Sequence, residues 1–307
     1  MDKLALIFPG QGAQVVGMGR AVAEAHAPAD AVFEQANDVL GFDLRGLCFD
    51  GPTDRLSATD IQQPAIFAAS VAIWEALRAA RSDVAQPSAA AGLSVGEYMA
   101  LYAAGAISLA DGLRAVQQRG RLMQSASEAK PSGMATLIGL DRAKVEQIVA
   151  EARQDEVLVA ANYLAGDLIV VSGERAALDR ACELAESASA RVNRLDVAGA
   201  FHSPLMAPAA EALGELLGEI ELHHPQIPVA SNVTARYHDS PAETRSLLRE
   251  QVIRPVEWAR SIERLVADGC GRMLAIGPGS SQRSIIRRVD RSVKVSVVDA
   301  PGDIEKL

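Results

Sequence analysis

The chain has 307 residues, 49% of them apolar and 22% charged, and its acids outnumber its bases 39 to 30 for a formal net charge of -9. That balance argues against nucleic acid as a partner, because phosphate contacts need clustered Lys and Arg, and no run approaches the roughly 18 apolar residues of a membrane span. Cys48, Cys182 and Cys270 are too widely spaced for a disulfide framework and the five histidines lack metal-ligand spacing, so no metal site is expected and a reducing, cytoplasmic setting is.

Leu4 to Phe8 is a short apolar run closed by Pro9-Gly10-Gln11-Gly12. It is too short for a signal segment and predicts a buried parallel strand running into a loop. Gly10-x-Gly12 begins like a dinucleotide fingerprint, but Val15 stands three residues after Gly12 and no acidic residue closes a βαβ unit. The other use of such a turn is a backbone amide offered to an anion. Residues 13–60 mix helix and loop; Gln63-Pro64 then predicts a helix start, with proline in the tolerated first turn and Ile66, Ser70, Ile73 and Leu77 at helical spacing up to Arg81.

After Pro87, small apolar residues lead into Gly92-Leu93-Ser94-Val95-Gly96, and a helical pattern leads out from Glu97 to Gly105. This reads as a nucleophile elbow, in which a strand bends sharply into a helix and the flanking glycines avoid collisions around an exposed serine. The Val95 amide would then lie at a helix N-terminus, free to donate to an oxyanion. Five-residue patterns of this kind also occur in ordinary loops.

Ser108 to Asp111 resembles a capping box opening a helix to about Glu128. Leu109, Leu113, Val116, Gly120 and Met123 form one apolar stripe at about 100° per residue, and Arg119 lies about 70° from its centre, on the edge of the buried side. The residues four away are Ala115 and Met123, so no helical neighbour supplies a carboxylate. Arg119 is then either a snorkelling or distantly paired arginine or a clamp for an anionic substrate.

From about 132 to 198 the order becomes β-α-β-β-α-β, with strands at 134–140, 157–161, 168–172 and 191–197 and helices after Asp141 and over 174–187. That is the ferredoxin-like order. The expected architecture is α/β: a large discontinuous domain, 1–130 and 199–307, with a mostly parallel sheet, and an inserted small ferredoxin-like α+β subdomain, 131–198. His202 sits in the Gly199-to-Pro204 loop at the junction, not inside a periodic element, which favours a functional role over packing. A strand at 228–231, helices to Glu250 and over 256–267, a strand at 272–276, a helix from Ser281 and a strand at 293–298 complete the pattern. Arg283, Arg287, Arg288, Arg291 and Lys294 cluster in an otherwise acidic chain, as a solvated face or a dock for an acidic partner.

Taken together, these pieces resemble the malonyl-CoA:acyl carrier protein transacylase family, acyltransferases of fatty acid and polyketide synthesis, over nearly the whole chain. The resemblance rests on Phe8-Pro9-Gly10-Gln11-Gly12, Gln62-Gln63-Pro64-Ala65, Gly92 to Tyr98, Gln118-Arg119-Gly120, Ala200-Phe201-His202-Ser203, Ser231-Asn232-Val233, Arg254 to Trp258 and Ile276 to Gly279, all in family order. It implies an α/β-hydrolase-like large domain, a monomer, and ping-pong malonyl transfer from malonyl-CoA to the phosphopantetheine thiol of acyl carrier protein, with no bound cofactor. Ser94 would be the nucleophile and His202 the general base, with the amides of Val95 and Gln11 holding the oxyanion. The side-chain carbonyl of Gln251 would fix the imidazole tautomer, and Arg119 would clamp the malonyl carboxylate. Gln63, Leu93, Phe201 and Asn162 would contact the substrate. Leu93 replaces the histidine many relatives carry, and the 162–167 loop lacks the second asparagine and the proline of the common bacterial pattern. Ala200-Phe201-His202 resembles the motif of malonyl-selective polyketide domains, although Gly199 replaces their first histidine, and implies rejection of an α-methyl group. The competing readings are a serine hydrolase or thioesterase, with Asp196 orienting His202; a trans-acting polyketide acyltransferase using another acyl-CoA; and a non-catalytic carrier-binding scaffold.

Overall fold

Strand β1 is Leu4–Phe8, buried along its whole length. In the computed structural model, which describes residues 2–83, 85–279 and 281–307, it is the central strand of a five-stranded sheet. The order is β7-β2-β1-β8-β9, with β2 at Ala89–Gly92, β7 at Val229–Ala230, β8 at Arg272–Ile276 and β9 at Lys294–Val298. Its pairings are all parallel, which obliges helical crossovers on both faces. Alternate residues of β1 divide accordingly: Leu4, Leu6 and Phe8 pack with the helices Ala27–Leu40, Thr59–Ala80 and Leu109–Glu128, while Ala5 and Ile7 pack with Trp258, Ile262 and Ile286 on the other side. A strand apolar on both faces has no reason to alternate, which is why its pattern carries no period of two.

The second sheet is antiparallel, with β3 at Ser132–Ile138, β4 at Leu158–Ala165, β5 at Leu168–Glu174 and β6 at Arg191–Arg194 in the order β4-β5-β3-β6. Two helices, Arg142–Arg153 and Arg175–Ser187, cover one face through Val145, Ile148, Leu178 and Ala181. The other face, carrying Met134, Ala161 and Val170, joins the core of the large sheet. The two units are tied directly: the Tyr163 amide donates to the Val256 carbonyl at 2.9 Å and the Val256 amide to the Ala161 carbonyl at 2.8 Å. Beside this contact the Arg142 fork spans both carboxylate oxygens of Glu257 at 3.0 and 3.2 Å.

Several boundaries differ from the sequence reading by a few residues, and three of the differences have a local cause. The helix containing Gln63-Pro64 starts at Thr59 and carries Pro64 inside it; the backbone bond forgone falls on Asp60, which borders an open cavity where water can serve its carbonyl. Strand β6 stops at Arg194, because Leu195, Asp196 and Val197 leave the sheet to line a cavity. The helix expected from Val256 begins at Trp258, since Val256 is engaged with β4.

Candidate active site

The chain turns from β2 into the helix Gly96–Ala103 within three residues, and Ser94 sits in that turn with φ 55. The glycines on either side are sterically required. A Cβ on Gly92 would stand 1.9 Å from the Gly96 carbonyl oxygen, and one on Gly96 would stand 2.6 Å from that of Pro9. Left-handed backbone is costly for a residue with a Cβ, of order 1 kcal/mol, and here Asn232 braces it. Its Oδ1 accepts from the Ser94 amide at 2.6 Å and its Nδ2 donates to the Gly92 carbonyl at 2.7 Å.

His202, also left-handed at φ 57, brings Nε2 to 2.8 Å from Ser94 Oγ. On the other side of the ring, Nδ1 lies 2.7 Å from the main-chain oxygen of Gln251. A carbonyl only accepts, so the hydrogen is on Nδ1, and Nε2 is left with the lone pair that can take the serine proton. The resemblance implies the side chain of Gln251 at this point; the atom in contact is its main-chain oxygen. The reason is local: the helix Pro241–Gln251 ends at that residue, so its carbonyl has no intrahelical partner and presents the negative end of the helix to the ring. No carboxylate touches His202 among the described residues, and Asp196 instead borders the cavity mouth. Burial, reinforced by the charge of Arg119 and opposed by the Gln251 bond, holds the His202 pKa down at about 3, so the ring is neutral at working pH.

The Gln251 side chain does something else. Its Oε1 accepts from Arg119 Nη2 at 3.0 Å, and its Nε2 donates to Glu97 Oε2 at 2.7 Å and to the Ser94 carbonyl at 3.0 Å. A guanidinium can only donate and a carboxylate can only accept, so the amide between them fits one way round. Arg119, 1% exposed, has Nη1 at 2.6 Å from Gln63 Oε1 and Nη2 at 3.1 Å from Ser94 Oγ. Among the described residues its Nε has no partner, and burial pushes its pKa down. The sequence reading placed Arg119 at the edge of a buried stripe; it is enclosed, with no carboxylate in contact among the described residues. Its nearest countercharge, Glu97, stands one amide away, accepting also from the Asn232 amide at 3.0 Å and His238 Nε2 at 2.8 Å.

A chamber of about 300 Å³ opens onto Ser94 and His202, lined in part by Gln11, Leu93, Met134, Asn162 and Phe201. It shares Gln11, Gln14, Gln62, Asp196 and Val197 with a wider outer chamber of about 790 Å³. Val95 is buried behind the serine, and among the described residues no acceptor stands on the amide of Val95 or of Gln11. Ser94, His202, Arg119, Gln63 and Gln251 therefore form one hydrogen-bonded group, while Leu93, Asn162, Phe201 and Gln11 form its walls. Sequence reasoning gave no role to Glu97, Asn232 or His238. Of these, Glu97 lies in the Gly92-to-Tyr98 motif and Asn232 in Ser231-Asn232-Val233, whereas His238 lies in none. No group of His, Cys, Asp and Glu among the described residues could hold a metal ion.

The Acyl transferase domain family matches residues 5–300. The chain is 37% identical over 307 residues to the malonyl CoA-acyl carrier protein transacylase of Bacillus subtilis (strain 168), covering 99% of this chain and 96% of that protein. It is similar to the crystal structure of an acyl carrier protein S-malonyltransferase from Vibrio cholerae at 36% identity and a TM-score of 0.95, covering 99% of each. It is also similar to a malonyl-transacylase solved in complex with its type II PKS acyl-carrier protein, at 35% identity and a TM-score of 0.95, over 99% of this chain and 98% of that one.

Proposed function

The chain belongs to the acyl transferase domain family, and on that premise we propose that it moves a malonyl group from malonyl-CoA to the phosphopantetheine thiol of acyl carrier protein through a malonyl ester on Ser94. As Ser94 Oγ attacks the thioester carbonyl, its proton passes to His202 Nε2, and the amides of Val95 and Gln11 receive the oxyanion. Collapse of the tetrahedral intermediate breaks the C–S bond, and the coenzyme A sulfur takes the proton from His202. In the second half the carrier's thiol gives its proton to the same nitrogen, attacks the ester, and Ser94 regains its hydrogen. The Gln251 carbonyl keeps the ring in the required tautomer throughout, a task that needs an acceptor but no negative charge.

The observation that carries the malonyl assignment is Arg119, an enclosed guanidinium 3.1 Å from the nucleophile with no contacting carboxylate of its own among the described residues. Enclosing such a charge costs several kcal/mol, and a substrate that brings a carboxylate gains two parallel charged hydrogen bonds there. A hydrolase would have no use for that cost and would want an acid on His202 Nδ1, where a main-chain oxygen stands. Incubation with malonyl-CoA is expected to give a covalent malonyl adduct that peptide mass spectrometry places on Ser94 and that acyl carrier protein discharges. Absence of the adduct would refute the mechanism and favour a carrier-binding scaffold.

Finer readings rest on the same frame. The order β4-β5-β3-β6 supports a ferredoxin-like unit, 131–198, inserted into a hydrolase-like domain formed by 1–130 and 199–307. Three free, buried cysteines among the described residues, with burial pushing the Cys48 thiol up to about 12, suit a cytoplasmic setting. The basic cluster is the surface we assign to the carrier: Arg283, Arg287, Arg291 and Lys294 are exposed around shallow cavities, while Arg288 is held by Asp167 at 2.6 Å.

A further inference from the structure

The loop that carries His202 has polar backbone groups with no strand or helix to receive them, and the second sheet receives them. Ser172, in the middle of β5 and 0% exposed, donates from Oγ to the Phe201 carbonyl at 2.7 Å. Ser132, at the start of β3, accepts the Ala200 amide on Oγ at 3.2 Å. Ser203 closes the loop on itself, its Oγ donating to the Ala200 carbonyl at 2.6 Å. The bond from Ser172 thus lands on the peptide immediately before a residue held at φ 57. Strain of that kind persists only where the surroundings over-determine it.

Ser172 is also out of pattern. It continues the apolar run Leu168-Ile169-Val170-Val171, and Val170, two residues earlier on the same face, joins the core of the large sheet. A valine would bury more apolar surface at that position, and a buried hydroxyl repays its desolvation only through a partner. Its partner is the base loop. The start of the loop is closely packed as well, since a Cβ on Gly199 would stand 2.2 Å from Ser127 Oγ on the helix Leu109–Glu128.

We propose that Ser172, seconded by Ser132, is a positioning residue for the general base: the small sheet pins the 200–202 backbone and so holds His202 Nε2 in line with Ser94 Oγ. The proposal rests on the Ser94–His202 mechanism above and gives the small sheet a part in proton transfer beyond walling the chamber. Loss of the pin lets the ring drift and admits water to it. Turnover then falls, because a misplacement of about 1 Å can cost about 10²-fold. Burial is the first cause of the depressed His202 pKa, so the acid limb of the rate profile also moves up. The Arg119 clamp does not touch this loop, so carboxylate recognition is spared, and any smaller change in KM comes through Phe201, which walls the chamber from the same loop.

The test compares Ser172→Ala, Ser172→Thr and Ser132→Ala with the parent enzyme in malonyl transfer to acyl carrier protein across pH, with His202→Ala alongside. For Ser172→Ala the expected result is a fall in kcat of about tenfold or more, a KM for malonyl-CoA within about twofold, and an acid limb moved toward the ordinary histidine range. Ser172→Thr keeps the hydroxyl and is expected to recover most of the loss. Ser132→Ala is the second variant should Ser172→Ala fail to fold, with an expected fall of about threefold in kcat and the same direction in pH. A parent-like kcat and acid limb in the folded variant, a fall in kcat with the acid limb unmoved, or no recovery in Ser172→Thr overturns the proposal. Parent-rate acylation of Ser94 in His202→Ala overturns the mechanism beneath it instead.

Discussion

Replacing Arg119 by alanine separates carboxylate recognition from acyl transfer. In the resting site Nη1 lies 2.6 Å from Gln63 Oε1, and Nη2 lies 3.0 Å from Gln251 Oε1 and 3.1 Å from Ser94 Oγ. A malonyl carboxylate taking two charge-assisted hydrogen bonds from this fork gains about 1.5–3 kcal/mol from each. Their loss costs about 3–6 kcal/mol, or about 10²–10⁴-fold in kcat/KM for malonyl-CoA. An acetyl group makes neither bond, and removal of an enclosed charge leaves Ser94 and His202 facing each other, so acetyl transfer is expected to hold or rise. Arg119→Lys keeps the charge without the fork and should fall between the two for malonyl-CoA. The assay is kcat/KM for malonyl-CoA and acetyl-CoA against one carrier protein. A second readout comes from His202, whose pKa is held at about 3 by burial first and by the charge of Arg119 second. With that charge gone, the folded-state value rises toward the ordinary one, and the acid limb of acetyl transfer moves to higher pH. Equal losses for the two thioesters would refute the clamp.

Gln251→Met keeps the main-chain carbonyl that orients His202 and removes the amide that meets Arg119 and Glu97. Malonyl over acetyl preference should therefore drop about tenfold, as expected for one lost hydrogen bond to a charged group, with acetyl transfer retained; collapse of both rates would return tautomer control to the side chain. Arg287→Glu with Arg291→Glu should raise the KM for acyl carrier protein severalfold at low ionic strength, less so as salt screens the patch, and leave the KM for malonyl-CoA in place. A carrier KM indifferent to both salt and substitution would remove the cluster from the carrier's path.

The parts of this site that could be read from the chain are those whose physics is local. Gly92 announces the elbow because a Cβ there strikes backbone within the same turn, and Gly96 because one there strikes the neighbouring strand end at Phe8 and Pro9; the order of short apolar runs and helical patterns from Ser132 to Arg194, one helix capped by Asp141, announces the second sheet. Ser108 capping Asp111 set the phase of the helix that buries Arg119. The parts that escaped depend on where distant segments meet. Pro64 suggested a helix start, but solvent beside Asp60 lets the helix begin earlier. Glu97, Asn232 and Gln251 meet across 135 to 154 residues of chain, and nothing in the spacing of polar residues records such a meeting.

Gln251 shows why residue identity alone misleads about role. The family resemblance points to the side-chain carbonyl of Gln251, whereas the oxygen beside His202 Nδ1 is its main-chain one, which a helix terminus supplies whatever side chain ends it. The tautomer of His202 therefore places no demand on the side chain at 251. The demand for glutamine there comes from the other direction: one side chain must accept from Arg119 and donate to Glu97, and an amide does both at neutral charge. A glutamate in its place would stand directly on Arg119 and occupy the fork before substrate arrived. Keeping Glu97 one amide away leaves the guanidinium oriented and free of a contacting carboxylate among the described residues, and on the clamp proposed above that separation is what would fit a generic serine elbow to an acyl group that carries a carboxylate.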